Sequence, residues 1–337
     1  MISTEEETVT SRDLRTGGAW SRPQRLKNDA LFGLASLALW LSRALPLRAL
    51  RALGRSLGAV THALSDRARR TALANVTRVF PEMTAAERSV FVRRTFVTMG
   101  ELLADAVALL RPGPESGPLV ELTPEARKVI EEARREGRGV LFASAHLGPW
   151  ERVAASLVAC GVPFAALARE SYDPRFSRLY EVLRGARGVR VVWRSSRATS
   201  GLAVTARILR ILKEGAVLGV AMDLRSRVAS CDTPFLGHPA PTPVGPARIA
   251  LRAGAAVVVG TVAPGPAAGT PLVITATRIP TFDLDGKAEG DDRELTARIN
   301  RELSSRIRAL PHAWVWMHDR WTAPPEDGGK LVREPLA

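Results

Sequence analysis

A histidine and a glutamate stand five residues apart where an apolar run gives way to a proline: Leu141-Phe142-Ala143-Ser144-Ala145-His146-Leu147-Gly148-Pro149-Trp150-Glu151. The run Val140–Ala143 reads as a buried strand. Pro149 suits the first position of a helix, where its missing N–H costs nothing. His146 then sits on the loop leaving a strand, and Glu151 in the first turn of the next helix. If the loop folds back, the carboxylate orients the imidazole, which makes a general base toward an alcohol. The chain has five histidines, and this one lies beyond the carboxyl end of a strand, where α/β enzymes place chemistry. The spacing also arises by chance, and a lone histidine after a strand is often structural. The pair takes its weight from its surroundings.

Those surroundings alternate. Strand-like runs are Val140–Ala143, Phe164–Leu167, Val189–Trp193, Val217–Ala221, Ala255–Val262 and Leu272–Ala276. Helical patterns fall between several of them, at Val153–Ala159, Phe176–Leu183, Ala203–Lys213 and Gly245–Arg252. A helix over Pro124–Glu136 precedes them, and one over Asp291–Ala309 stops before Pro311. The expected fold is α/β, a central mostly parallel or mixed sheet flanked by helices.

The N-terminal part is different. Residues 1–22 are polar and read as a disordered tail. No signal peptide begins at Met1. An uncharged stretch, Ala30–Ser42, is short for a membrane span, and arginines and a lysine flank it on both sides. An interfacial anchor helix suits this pattern; a short tilted span and a buried core helix are the alternatives. Helices are expected over residues 56–110, one opened by the capping box Thr84-Ala85-Ala86-Glu87. Pro112, Gly113, Pro114, Gly117 and Pro118 mark a linker. The expected domains are a helical anchor region over 23–115, a catalytic domain over 116–325 and a flexible tail over 326–337.

Bulk properties narrow the function. Lysine and arginine exceed aspartate and glutamate by 14 in 337 residues, which points to an anionic partner. Nucleic acid is disfavoured, because the basic residues are spread along the chain with no aromatic-interleaved basic motif and no zinc-finger spacing. Apolar content of 46% is that of a globular chain, not a polytopic membrane protein. Two cysteines, Cys160 and Cys231, exclude a disulfide framework, have no metal spacing and fit a reducing compartment.

Five blocks together carry a resemblance over residues 31–325. They are Ala72-Leu73-Ala74-Asn75-Val76 with Phe80-Pro81-Glu82; His146 to Glu151; Lys213-Glu214-Gly215 with Asp223; Pro234-Phe235-Leu236-Gly237-His238-Pro239-Ala240 with Thr242 and Gly245; and Trp314 to Trp321. In this order they resemble the bacterial lipid A biosynthesis (late) acyltransferases, relatives of the glycerolipid acyltransferases.

The resemblance implies transfer of a fatty acyl chain from acyl carrier protein, or acyl-CoA, to a hydroxyl of a lipid A precursor, with no metal and no cofactor. His146 becomes the base and Glu151 its orienting carboxylate. Backbone N–H groups of Leu147 or Gly148 are candidates for the oxyanion. The family's functional arginine falls on Arg184 first and Arg187 second; Arg169, at a strand end, is a further phosphate contact. Asp223 matches the family's acidic position, although Asp-Gln is usual and this chain has Asp223-Leu224-Arg225. Phe235, Gly237 and Thr242 are expected at the substrate pocket or its turns. Trp314, Trp316, His318 and Trp321 read as packing. The implied site of action is the cytoplasmic face of the inner membrane. Two alternatives stay open: the same chemistry on another glycolipid such as a phosphatidylinositol mannoside, and a non-catalytic lipid-binding relative.

Overall fold

A computed structural model describes residues 19–111, 119–194, 201–225, 228–267 and 269–321. The linker expected at Pro112–Pro118, most of the N-terminal tail and the C-terminal tail lie outside the described residues.

Four helices lead. They are α1 (Arg22–Ala44), α2 (Leu47–Leu64), α3 (Asp66–Val79) and α4 (Ala85–Ala108). The first is longer than the apolar stretch alone foretold. Ser21 caps it, in a capping box with Gln24 and with Pro23 in its first turn. The box foreseen at Thr84 forms, with Thr84 N–H donating to Glu87 at 2.7 Å. Helices α2 and α4 lie in backbone contact. A Cβ on Gly58 would stand 2.2 Å from the Phe96 carbonyl oxygen, and one on Gly100 2.0 Å from that of Gly54. Glycine at these positions lets the helices approach to that distance. The opposite stripe of α2, Leu53, Leu57, Val60 and Leu64, is exposed, as are Leu34, Leu37 and Trp40 of α1. Among the described residues no helix is long and apolar enough to cross a membrane.

The rest is α/β, as the alternation foretold. The strands are β1 (Glu121–Leu122), β2 (Val140–Ser144), β3 (Phe164–Arg169), β4 (Arg190–Arg194), β5 (Val217–Ala221), β6 (Ser230–Phe235), β7 (His238–Pro243), β8 (Ala256–Ala263) and β9 (Val273–Ile279). The helices are α5 (Pro124–Arg135), α6 (Trp150–Ala159), α7 (Pro174–Gly185), α8 (Gly201–Lys213), α9 (Gly245–Ala253) and α10 (Asp291–Ala309). Seven strands form one sheet in the order β1-β9-β8-β2-β5-β3-β4. Strands β8, β2, β5, β3 and β4 pair in parallel, whereas β9 runs antiparallel to β8 and parallel to β1. The pair β6–β7 is a separate hairpin. No strand-like run stands out here in the sequence, since Pro234, Pro239, Pro241 and Pro243 break the strand pattern. A two-stranded ribbon outside the main sheet tolerates prolines on its unpaired edges.

Central strands β2 and β5 read as unbroken apolar runs, since helices cover both faces of the sheet. They pair in register from Val140↔Val217 to Ser144↔Ala221. The ladder runs on past them, with Met222 N–H donating to the Ser144 carbonyl at 3.0 Å. The residues that leave these two strands therefore emerge side by side at one end of the sheet.

Candidate functional site

His146 and Asp223 each stand two residues beyond the end of their strand, β2 and β5. Equal offsets from in-register ends place them together. The His146 Nδ1 lies 2.9 Å from Asp223 Oδ1, and the His146 backbone N–H donates to Asp223 Oδ2 at 2.8 Å. The Trp314 indole N–H donates to the same Oδ2 at 2.8 Å. Asp223 is fully buried, so each bond replaces lost water. An ionised carboxylate only accepts, so the proton belongs on Nδ1 and the lone pair on Nε2.

The pair shapes its own titration. Burial pushes His146 down, but the Asp223 charge and hydrogen bond outweigh it, and the imidazole is raised above the ordinary histidine range. Burial pushes Asp223 up, yet the His146 charge, its hydrogen bonds and that of Trp314 hold the carboxyl below the usual range. The geometry is that of a carboxylate–imidazole dyad.

The carboxylate in contact with the His146 ring is thus Asp223, and not the Glu151 expected from the spacing. Glu151 is buried and committed elsewhere: Arg184 Nε donates to Oε2 at 3.0 Å, and Nη2 to Oε1 at 2.9 Å. Glu151 acts on His146 through space, as a smaller raising influence than Asp223. The physical reason lies at the helix start. Pro149 is the N-cap and α6 begins at Trp150, so Glu151 points toward α7 and meets Arg184 there. Arg184 also lies over the Tyr180 ring, 4.7 Å from its centre. Its remaining nitrogen, Nη1, is buried without a protein partner. A buried cationic donor left unmatched is costly and points to a ligand atom.

His146, Glu151, Arg184 and Tyr180 line a cavity of about 580 Å³ over the carboxyl ends of the central strands. Most of its wall is apolar, with Val153 and Ala154 of α6 and Val204 and Ile208 of α8 among the contributors. One sheet face within it is built of small residues. The registers put Ser144, Ala166, Ala168, Gly219 and Ala221 together. The Phe142 and Phe164 rings end this run, edge-on with centres 5.9 Å apart. A Cβ on Gly219 would lie 2.2 Å from Phe164 Cζ, so glycine is what allows the ring to lie on the sheet. From Phe142 to His146 the strand climbs about 13 Å at about 3.3 Å per residue.

Arg169 lines the cavity too. The other expected site residues lie elsewhere. Arg187 donates to the carbonyls of Leu109 (2.8 Å) and Arg111, tying the end of α7 to the segment after α4. Phe235 and Thr242 are fully buried and do not line the cavity. Thr242 Oγ1 accepts from Arg320 at 2.7 Å and from Asn300 at 2.9 Å. Arg320 lies over the Phe235 ring, and Phe235 packs 5.6 Å from Trp314. Gly237, with φ 91°, turns the β6–β7 hairpin. These residues hold the frame behind Trp314, and Trp314 holds Asp223. The Gly148 N–H donates to Ala313 O at 2.9 Å, which removes it as an oxyanion donor.

The terminal block does more than pack. Asn75 of α3 donates to the carbonyls of Trp316 (2.9 Å) and His318 (2.7 Å). His318 Nε2 accepts the Arg225 backbone N–H at 3.1 Å. Burial lowers the His318 pKa and keeps the ring neutral, as an acceptor must be. The segment from Trp314 to His318 thus clasps residues 223–225 from outside the sheet. Trp314 was the residue whose role the sequence hid, since its indole N–H needed a partner that spacing does not disclose.

The chain as a whole is similar to known proteins. Residues 23–323 match the family described as bacterial lipid A biosynthesis acyltransferase. The chain belongs to that family. It is 25% identical over 297 residues to the lipid A biosynthesis palmitoleoyltransferase of Escherichia coli K12, covering 87% of this chain and 91% of that protein. A Shigella flexneri lipid A biosynthesis acyltransferase is matched to the same extent. The Escherichia coli lipid A biosynthesis myristoyltransferase is 30% identical over 136 residues, covering 40% of this chain and 42% of that protein. The chain is an acyltransferase.

The dyad predicts a signed pH dependence. The base form of His146 is lost as pH falls through its raised pKa, so the acid limb of kcat/KM lies above the ordinary value of about 6.5. Asp223→Asn removes the charge that stabilises the imidazolium, which moves that limb to lower pH and cuts kcat by about 10³–10⁴. An unmoved limb in this variant contradicts the pairing.

Proposed function

We propose that this enzyme moves a fatty acyl chain from acyl carrier protein, or acyl-CoA, to a hydroxyl of a lipid A precursor, with His146 as general base oriented by Asp223. The observation that carries this reading is the His146–Asp223 dyad, whose histidine lines a largely apolar cavity. Nε2 takes the proton as the acceptor oxygen attacks the thioester carbonyl carbon. The tetrahedral intermediate collapses, the carbon–sulfur bond breaks, and His146 gives the proton to the departing sulfur, so that the donor leaves as a thiol and the base is restored. The acceptor itself attacks, so no acyl-enzyme is needed. Arg184 Nη1, buried without a protein partner on a residue that lines the cavity, is a cationic donor for a developing oxyanion or a substrate phosphate.

The acyl chain takes the floor of small residues, and Phe164 with Phe142 forms its end wall. The exposed leucines of α1 and α2, with Trp40 and the basic residues Arg22, Arg25 and Lys27, suit attachment to an anionic membrane surface. Such attachment supports a location at the cytoplasmic face of the inner membrane, where a lipid acceptor and a soluble donor would meet. The basic surface suits an acidic carrier protein. The hydrogen-bonded His146–Asp223 dyad favours this enzyme reading over that of a non-catalytic lipid binder.

The test uses membranes containing wild type or His146→Ala, labelled acyl carrier protein thioester and a Kdo-bearing lipid A precursor. Transfer by wild type and a loss of at least about a hundredfold in the variant is expected. No transfer by folded wild type contradicts the acceptor, and equal activity contradicts the base. In the same assay Phe164→Ala shifts the preferred donor to longer acyl chains. An unchanged preference contradicts the end wall.

A further inference from the structure

A second cavity, of about 450 Å³, adjoins the one that holds His146. Ala229, Val244 and Arg248 line both, so the two share a wall near the start of α9. The second lies between α9 and the segment that enters α10, and Ser230 and Cys231 of β6 contribute to it. Its rim is preformed. Asp291 Oδ2 accepts from the Asp285 N–H at 3.0 Å and from the Gly286 N–H at 2.9 Å, and Asp283 is ion-paired with Arg298. These bonds hold residues 283–291 in place beside α9, as suits a ligand site.

The two cavities differ in chemistry. The first is largely apolar, whereas charge of both signs lines the second: Arg248, Arg252 and Arg293 with Glu289 and Asp292. Arg248 and Arg252 stand one turn apart on α9 and share a face. Arg248 gives both Nε (3.0 Å) and Nη2 (2.5 Å) to a single oxygen of Asp292, Oδ2. Among the described residues Arg248 Nη1 and Asp292 Oδ1 make no hydrogen bond, and the Arg252 and Glu289 side chains make none either. Spare donors and spare acceptors therefore line one cavity. A guanidinium only donates and a carboxylate only accepts. A phosphate would meet the two carboxylates as like charges, and an ammonium group would meet the arginines. A hydroxyl both donates and accepts, so neighbouring hydroxyls on a sugar ring match such a mixed lining.

We propose that this second cavity is a subsite for a neutral, hydroxyl-rich headgroup, the sugar of a glycolipid acceptor. The proposal rests on the acyl-transfer reading above and adds where the acceptor's polar part lies while its reacting hydroxyl is at His146. The apolar cavity suits an acyl chain and not a sugar, since each hydroxyl buried there without a partner costs free energy. The shared wall lets one glycolipid occupy both cavities, its apolar part in the first and its sugar in the second.

The experiment measures steady-state transfer by the full chain, as wild type, Asp292→Asn, Asp292→Glu and Ala288→Trp, with acyl carrier protein thioester and the Kdo-bearing lipid A precursor. Ala288 lines the second cavity, so tryptophan there fills the space without removing a charge. Asp292→Asn and Ala288→Trp are each expected to raise KM for the acceptor by about ten- to a hundredfold, with donor KM and kcat little changed. Misfolding would move all three. Asp292→Glu, which keeps the carboxylate, recovers part of the loss. An unchanged acceptor KM in either variant overturns the subsite, and so does an equal rise in donor KM. Binding of a neutral N-acetylglucosamine disaccharide, followed by saturation-transfer NMR, separates the two readings. If wild type transfers nothing, yet binds the disaccharide and Ala288→Trp does not, the acyl-transfer reading fails and the subsite stands. If wild type transfers nothing and the two proteins bind the disaccharide alike, or neither binds it, the subsite is overturned as well.

Discussion

The contact on which the site depends is the one between His146 and Asp223, fastened by Trp314. A buried carboxylate beside a half-buried imidazole is stable only when every oxygen has a donor. Here Asp223 receives three, the His146 ring, the His146 backbone and the Trp314 indole. Hydrogen bonds to a charged group contribute about 1.5–3 kcal/mol each, and leaving the carboxylate unmatched costs more than that. The arrangement fixes the tautomer of His146, with the proton on Nδ1 and the lone pair on Nε2.

Much of the fold serves that contact. Strands β2 and β5 are parallel neighbours in register, so residues equally far past their ends meet without a long loop. The terminal segment closes over them. Asn75 anchors it from α3, Phe80 packs on Trp316, and Arg320 binds the β6–β7 hairpin through Thr242 and the Pro241 carbonyl. Burial holds the Arg320 guanidinium down at about 10, where it is still charged. Four of the five sequence blocks thus converge on one cluster, and each acts on the dyad through Trp314, His318 or Asp223.

The sheet was legible in the sequence, because its strands are apolar runs bounded by glycine and its helices repeat at helical spacing. Val217–Ala221 and Asp291–Ala309 were delimited to the residue. The hairpin Ser230–Pro243 was not, because its prolines mimic a loop. His146 could be singled out from its place after a strand. Asp223 was named as an acidic site position but not as its partner, since it lies 77 residues away and only strand order brings it near. Glu151 was attractive through closeness in sequence, but the helix start turns it toward Arg184. Phe235 and Thr242 lie in a block shared with the family, and a shared block does not tell a wall of the pocket from a brace behind it. The equal two-residue offsets of His146 and Asp223 were present in the sequence as a signal, visible once β2 and β5 are known to pair.

The most direct measurement is the NMR spectrum of the His146 imidazole, ¹⁵N-labelled, in wild type, Asp223→Asn and Glu151→Gln proteins. A strongly deshielded proton on Nδ1 at neutral pH is predicted for wild type and for Glu151→Gln, and its loss or marked upfield shift for Asp223→Asn. A signal that survives in Asp223→Asn and vanishes in Glu151→Gln would return the orienting role to Glu151 and contradict the account.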